Sequence, residues 1–275
     1  MYNLLNANFF RLRKNKVFWC IIGITLIIAI IFLISRINTN NAGTTIGIDQ
    51  ILLDYLNIIG ITLAIFTSFF IGEEFTNGAI RNKITVGYSR IKIYLSNLII
   101  SIVAGIIIEL FYLIFVSIIG LPILGGLQMS ISQFLVIFLN IIMIIITYSC
   151  IFTFIALLSN DVTISTVFSL IFVLIMIVVG SAVSLTANSP EYLNNTILNE
   201  EGKIVEVQIP NPNYLGIEKK QMAQTLLYIM PSGQATQIIN YRDNTNYTVL
   251  ILYSLCVSTT ITILGLYAFN KDNLK

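Results

Sequence analysis

The sequence predicts an all-α integral membrane protein with six transmembrane helices, and three observations carry that prediction. Of 275 residues, 56% are hydrophobic and only 10% charged, with a mean hydropathy of +0.88; soluble domains carry about 25% charged residues. The few charges gather at the ends of long apolar runs, and about 20 such residues cross the hydrocarbon core of a bilayer. The runs are continuous and do not alternate in segments of roughly ten residues, which excludes an outer-membrane barrel. The same shortage of polar surface excludes a soluble enzyme and a disordered chain.

Residues 1–16 come first. Tyr2, Leu5, Phe9 and Leu12 recur at helical spacing. Arg11, Arg13, Lys14 and Lys16 add basic charge ahead of the membrane. Together they predict an amphipathic helix in the membrane interface, with Trp19 as an aromatic anchor. The expected spans are 17–35, 52–72, 92–121, 130–158, 162–187 and 247–269. The first ends at Ile34-Ser35-Arg36 without a small-x-small cleavage site and is expected to be a retained anchor. From 93 to 160 the only charge is Glu109, so Pro122, Gly125 and Gly126 are taken to split that stretch into two spans. Ser159 or Asp161 is placed to cap the fifth span. Cys20, Cys150 and Cys256 all fall within spans and are expected to pack as small apolar groups.

Orientation follows the basic residues. With six spans, the N-terminal segment, the turn between spans two and three and the C-terminal tail share one side and hold ten of the 15 Lys and Arg residues. In the short segments of the other side only Arg36 is basic, so both termini are expected to be cytoplasmic.

The turn after span two, residues 73–90, concentrates charge of both signs. Gly78 and Gly87 bracket a helix-compatible piece, and Ser89 is placed to cap the third span. This predicts a helix that leaves the membrane, turns at Gly78, forms a short helix and turns back. Such a knob suits docking on another protein; a solvated charged loop is the plainer alternative.

The pattern Glu74-Phe75-x-x-Gly78-x-x-Arg81, followed by Gly87-x-Ser89-Arg90 and a new span, resembles the permeases of ABC-2 type transporters. The resemblance implies that this turn is a coupling helix seated on a separate ATP-binding subunit, with Glu73, Glu74, Phe75, Gly78, Arg81, Lys83 and Arg90 at the contact. It implies two such subunits and a second permease chain, identical or related, in the membrane lipid. Many members have Pro where this chain has Gly87, a departure expected to be tolerable because both residues punctuate the backbone. Size and motif are nearest to bacitracin and lantibiotic immunity-type exporters, which implies an amphipathic peptide or hydrophobic small-molecule substrate. Sodium or drug efflux is the alternative within the family. Ile is 54 and Asn 24 of the residues, a bias that favours a low-GC Gram-positive bacterium and hence a bacterial cell membrane.

The external loop, 188–246, holds six of the 13 acidic residues and four of the five prolines. Residues 196–198 and 204–207 flank Asn199-Glu200-Glu201-Gly202-Lys203 and predict a β-hairpin with Gly202 at positive φ. A helical pattern returns over 218–241, broken at Met230-Pro231. The element Pro231-Ser232-Gly233-Gln234 again resembles the permease family and implies re-entrant helices, which need protein around their backbone.

Glu109 lies mid-span, where a charge is costly. It is expected on a substrate path, with Asn140, at an interface between two permease chains, or as a hydrogen-bonded carboxyl that joins helices through Asn140 or Tyr148. Other chemistry is missing. The chain has no histidine and no Gly-x-x-x-x-Gly-Lys-Ser/Thr loop, so ATP hydrolysis must come from a partner. The Glu73-Glu74 pair also resembles that of intramembrane CAAX-type proteases, but Gly78 and the missing histidines weigh against that enzyme. No cofactor, metal or nucleic-acid partner is expected. From another class, a membrane receptor or assembly subunit using the external loop is the rival. A secondary transporter is disfavoured because no internal repeat is found.

Overall fold

In lipid a backbone must satisfy its own polar groups, so each long apolar run forms a helix. The computed structural model describes residues 1–41, 47–198, 204–212, 214–240 and 245–271. The elements run α1 (Tyr2–Lys14), α2 (Lys16–Asn41), α3 (Ile48–Asp54), a 3-10 turn (Tyr55–Asn57), α4 (Ile59–Thr76), α5 (Ala79–Thr85), α6 (Arg90–Leu124), α7 (Ile131–Ser159) and α8 (Val162–Ala187). They continue with β1 (Tyr192–Leu198), β2 (Ile204–Pro210), α9 (Ile217–Ile229), α10 (Pro231–Asn240) and α11 (Tyr247–Lys271). Among the described residues six helices, α2, α4, α6, α7, α8 and α11, are long and apolar enough to cross a membrane. The fold is the all-α membrane class with a small hairpin.

The stretch expected as one span over 52–72 is divided. Its first residues belong to α3 and the 3-10 turn, and α4 continues to Thr76. Buried Asp49 explains the division. Its carboxylate accepts the backbone N–H of Met129 at 2.9 Å and of Gln128 at 3.1 Å, tying α3 to the connection between α6 and α7. Asp54 at the end of α3 pairs with Arg36 of α2 at 2.9 Å. Helix α6 passes Pro122 and stops at Leu124. Asp161, not Ser159, caps α8 by accepting the N–H of Ile164 at 2.9 Å. Ser89 occupies the N-cap position of α6, but its side chain makes no capping bond.

Helix α4 is the least apolar of the six and yet, with α7, the most buried. Small polar residues explain this inversion, because they let helices approach closely within a membrane. Ser68 of α4 donates to Ser169 of α8 at 3.2 Å, and Thr67 of α4 is buried as well. Helices α8 and α11 bury less than a quarter of their apolar windows and form the flanks.

One end of the bundle carries α1 and α5, and we call it the basic end. The other, the hairpin end, carries α3, α9 and α10. There β1 pairs antiparallel with β2, from Tyr192 opposite Pro210 to Leu198 opposite Ile204. The expected turn at 199–203, with Gly202, lies outside the described residues. Helix α10 is inserted among its neighbours with Pro231, Ser232, Gly233 and Gln234 all buried. Gln234 donates to the carbonyl of Tyr228 at 2.6 Å and accepts from Ser254 of α11 at 2.8 Å, and Ser232 donates to the carbonyl of Met176 in α8 at 2.6 Å. Protein thus surrounds this non-spanning backbone, which is the condition for burying it.

Candidate functional site: the turn between α4 and α6

Helix α4 ends because Gly78 takes the left-handed conformation, φ +66°. Helix α5 ends the same way at Gly87, φ +97°. There the N–H of Gly87 reaches the carbonyl of Ile84 at 2.9 Å, and that of Tyr88 reaches Lys83 at 3.0 Å. This pair of bonds is a Schellman motif, which satisfies the last carbonyls of a short helix. Ile80, 1% exposed, anchors α5 in the core. The turn is therefore closed at both ends and pinned in the middle.

Glu74 organises the charge. It lies at the end of α4, 1% exposed. One carboxylate oxygen accepts from both Arg11 of α1 and Lys83 of α5. The other accepts from the Asn97 amide of α6 at 3.0 Å. Arg11 also donates to the carbonyl of Phe70 at 2.6 Å and lies over the Phe70 ring at 3.5 Å. Asn8 of α1 donates to Ser96 and to Asn97, each at 3.2 Å, and accepts from Lys83 at 3.3 Å. Four helices thus share one network. Burial pushes the Lys83 ammonium below its ordinary range, and the Glu74 carboxylate opposes that shift. A buried charge needs such partners.

The residues selected from the sequence separate into two groups. Glu74 and Lys83 turn inward, and Phe75 packs against the core. Arg90 donates to the carbonyl of Phe269, the end of α11, at 2.8 Å. These hold the turn in place. Arg81 stands on the open face with Asn77, Asn82, Thr85 and Val86, the last 77% exposed. Glu73 is half-buried. The sequence reading missed Asn8, Ser96, Asn97 and Val86. A signal for Asn8 existed: the buried stripe of α1 is Leu4, Asn8 and Leu12, a strict four-residue repeat. Of the expected interfacial stripe, Tyr2 and Phe9 stand clear of the bundle, at 76% and 40% exposed, and Leu12 is buried in it.

The mid-span residues do not meet as expected. Neither carboxylate oxygen of Glu109 has a hydrogen-bond partner among the described residues, although the side chain is 1% exposed. Asn140 donates to Val136 of its own helix at 2.9 Å. Tyr148 meets Ser232 of α10. The polar neighbours within electrostatic reach of Glu109 are Tyr55 and Tyr112.

Six apolar helices around a polar-seamed α4, with a turn that holds a shared carboxylate inside and open side chains outside, define a multi-pass helical membrane protein. The chain belongs to the ABC-2 transporters: the family described as "ABC-2 family transporter protein" matches residues 4–180. The matched region includes the whole turn and its network; the hairpin and α9 to α11 follow it. No curated protein matches the chain. Membership makes it a multi-pass subunit of a kind that is generally non-catalytic, and it implies pairing with an ABC ATP-binding subunit.

Proposed function

We propose that this chain is the permease of an ATP-driven exporter in a bacterial plasma membrane, with its basic end and both termini in the cytoplasm. The observation that supports this best is the two-sided turn. Its inner residues fasten α5 to α1, α4 and α6, and its outer face presents Arg81, Asn82, Thr85 and Val86. A push on that face is carried to three helices at once. Two ATP-binding subunits would close under nucleotide, and two permease chains, identical or related, would respond as a two-state element. Glu73, at the edge of the face, completes the contact.

The cargo is an amphipathic antimicrobial peptide or hydrophobic drug, by resemblance to the bacitracin and lantibiotic immunity-type exporters. Glu109 and Asn140 contribute to the substrate path, because each keeps a buried acceptor unused. Co-expression with the ATP-binding subunit encoded beside it should give a complex whose ATPase activity rises in membranes. Absence of any complex would remove the assignment.

The hairpin supports a second reading, a receptor for an external ligand, because β1 and β2 pack mainly on each other. Deleting residues 193–208 separates the two. An exporter retains substrate-stimulated ATPase activity, and a receptor loses its response.

A further inference from the structure

The first 48 residues contain no acidic residue and five basic ones: Arg11, Arg13, Lys14 and Lys16 ahead of the apolar run of the first span and Arg36 at its far end. Arg11 is consumed by Glu74, and Arg36 by Asp54. Arg13, Lys14 and Lys16 are exposed, and none of the three is in an ion pair among the described residues. They sit at the elbow where α1 meets α2.

That elbow is fixed. Asn15 breaks the helix with extended backbone, φ −73° and ψ 120°, and its side chain accepts the N–H of Phe18 at 2.9 Å. Trp19 donates its indole N–H to the carbonyl of Arg13 at 2.9 Å, which holds the ring beside the cations. Lys14 lies over the Phe10 ring at 4.3 Å. Phe10 is 62% and Trp19 50% exposed. The exposed side of α1 thus alternates aromatic rings with cations, one turn before an apolar span begins. Aromatic rings favour the headgroup level of a membrane. A cationic cluster there attracts anionic headgroups.

We propose that the α1–α2 elbow is a binding site for the headgroup of an anionic phospholipid, with Arg13, Lys14 and Lys16 on the phosphate and Phe10 and Trp19 against the upper acyl chain. The same helix places Arg11 on the carboxylate shared with Lys83. Headgroup occupancy is therefore one residue pair away from the turn. The site does not depend on which subunit docks below or on what is transported.

Trp19 is the single tryptophan, so it reports on its own lipid neighbours. The full chain is reconstituted in phosphatidylcholine vesicles that contain a minor fraction of brominated phosphatidylglycerol or, separately, the same fraction of brominated phosphatidylcholine. The expected result is a local enrichment of the anionic lipid at Trp19 of at least about twofold, weakened by salt. Arg13→Gln, Lys14→Gln and Lys16→Gln together should abolish that preference while quenching by brominated phosphatidylcholine stays unchanged, which shows that α2 is still inserted. Lys14→Arg with Lys16→Arg should keep the preference. Equal quenching by the two lipids in the unaltered chain overturns the proposal. So does a triple variant that keeps the lipid preference and loses only its hold on the ATP-binding subunit, since the cations would then serve a protein contact.

Discussion

Glu74 and Lys83 stand nine residues apart on opposite sides of a left-handed glycine, and their side chains meet in an ion pair that closes the turn between them. Removing the carboxylate leaves Lys83 and Arg11 facing each other with no anion. Glu74→Ala should therefore destabilise the chain by about 3–5 kcal/mol, the range for breaking a buried pair. Replacing all three charges with apolar residues of similar volume should cost less than that single change. Thermal unfolding in detergent would measure both, and additive losses would show that the three side chains do not act as a unit.

The open face of α5 should behave differently. Arg81→Glu with Val86→Asp should leave the unfolding temperature within about 2 °C, because exposed substitutions away from packed features change stability little. The same pair should lower affinity for the ATP-binding subunit at least tenfold, read by co-purification or surface binding. A normal complex would place the contact elsewhere.

Gly87 sets a sharper test of the backbone. Proline fixes φ near −65°, while this residue stands at +97°. Proline at this position would therefore not fit the backbone that Gly87 adopts. Gly87→Pro should release the Schellman bonds and impair coupling. Gly87→Ala should cost about 1–2 kcal/mol through the left-handed backbone alone, since nothing lies within 4 Å of the added carbon. Gly87→Asn should cost less. Proteolysis at the turn would rank the three.

Glu109 invites a separation of stability from transport. A buried polar group without partners costs stability, and an apolar replacement of similar shape relieves that cost. Glu109→Leu should hold or raise the unfolding temperature. If the carboxyl serves the substrate path, transport in vesicles should fall in that variant and Glu109→Gln should retain part of it. Parallel loss of stability and transport would make the residue a packing element.

Much of this architecture was legible in the sequence, because lipid imposes a simple rule on length and charge. The six helices, the break at Met230-Pro231 and the two-glycine turn follow from that rule. Three features did not. Helix α3 was absorbed into a span because Asp49 finds backbone N–H groups 79 and 80 residues away in sequence, and no local pattern reveals such a partner. The buried stripe of α1 escaped notice because its middle residue, Asn8, is polar. The site was legible as a charged turn, but its division into inner and outer residues was not. Glu74 and Arg81 look alike in a string of letters. They differ in which helix each one meets.

The bond from Arg90 to Phe269 joins the start of the third span to the end of the last one. Arg11 and Glu74 join the start of the chain to that same place. The first and last helices are thus both moored to a turn that is synthesised between them. A chain halted before α11 would carry the turn with one mooring missing.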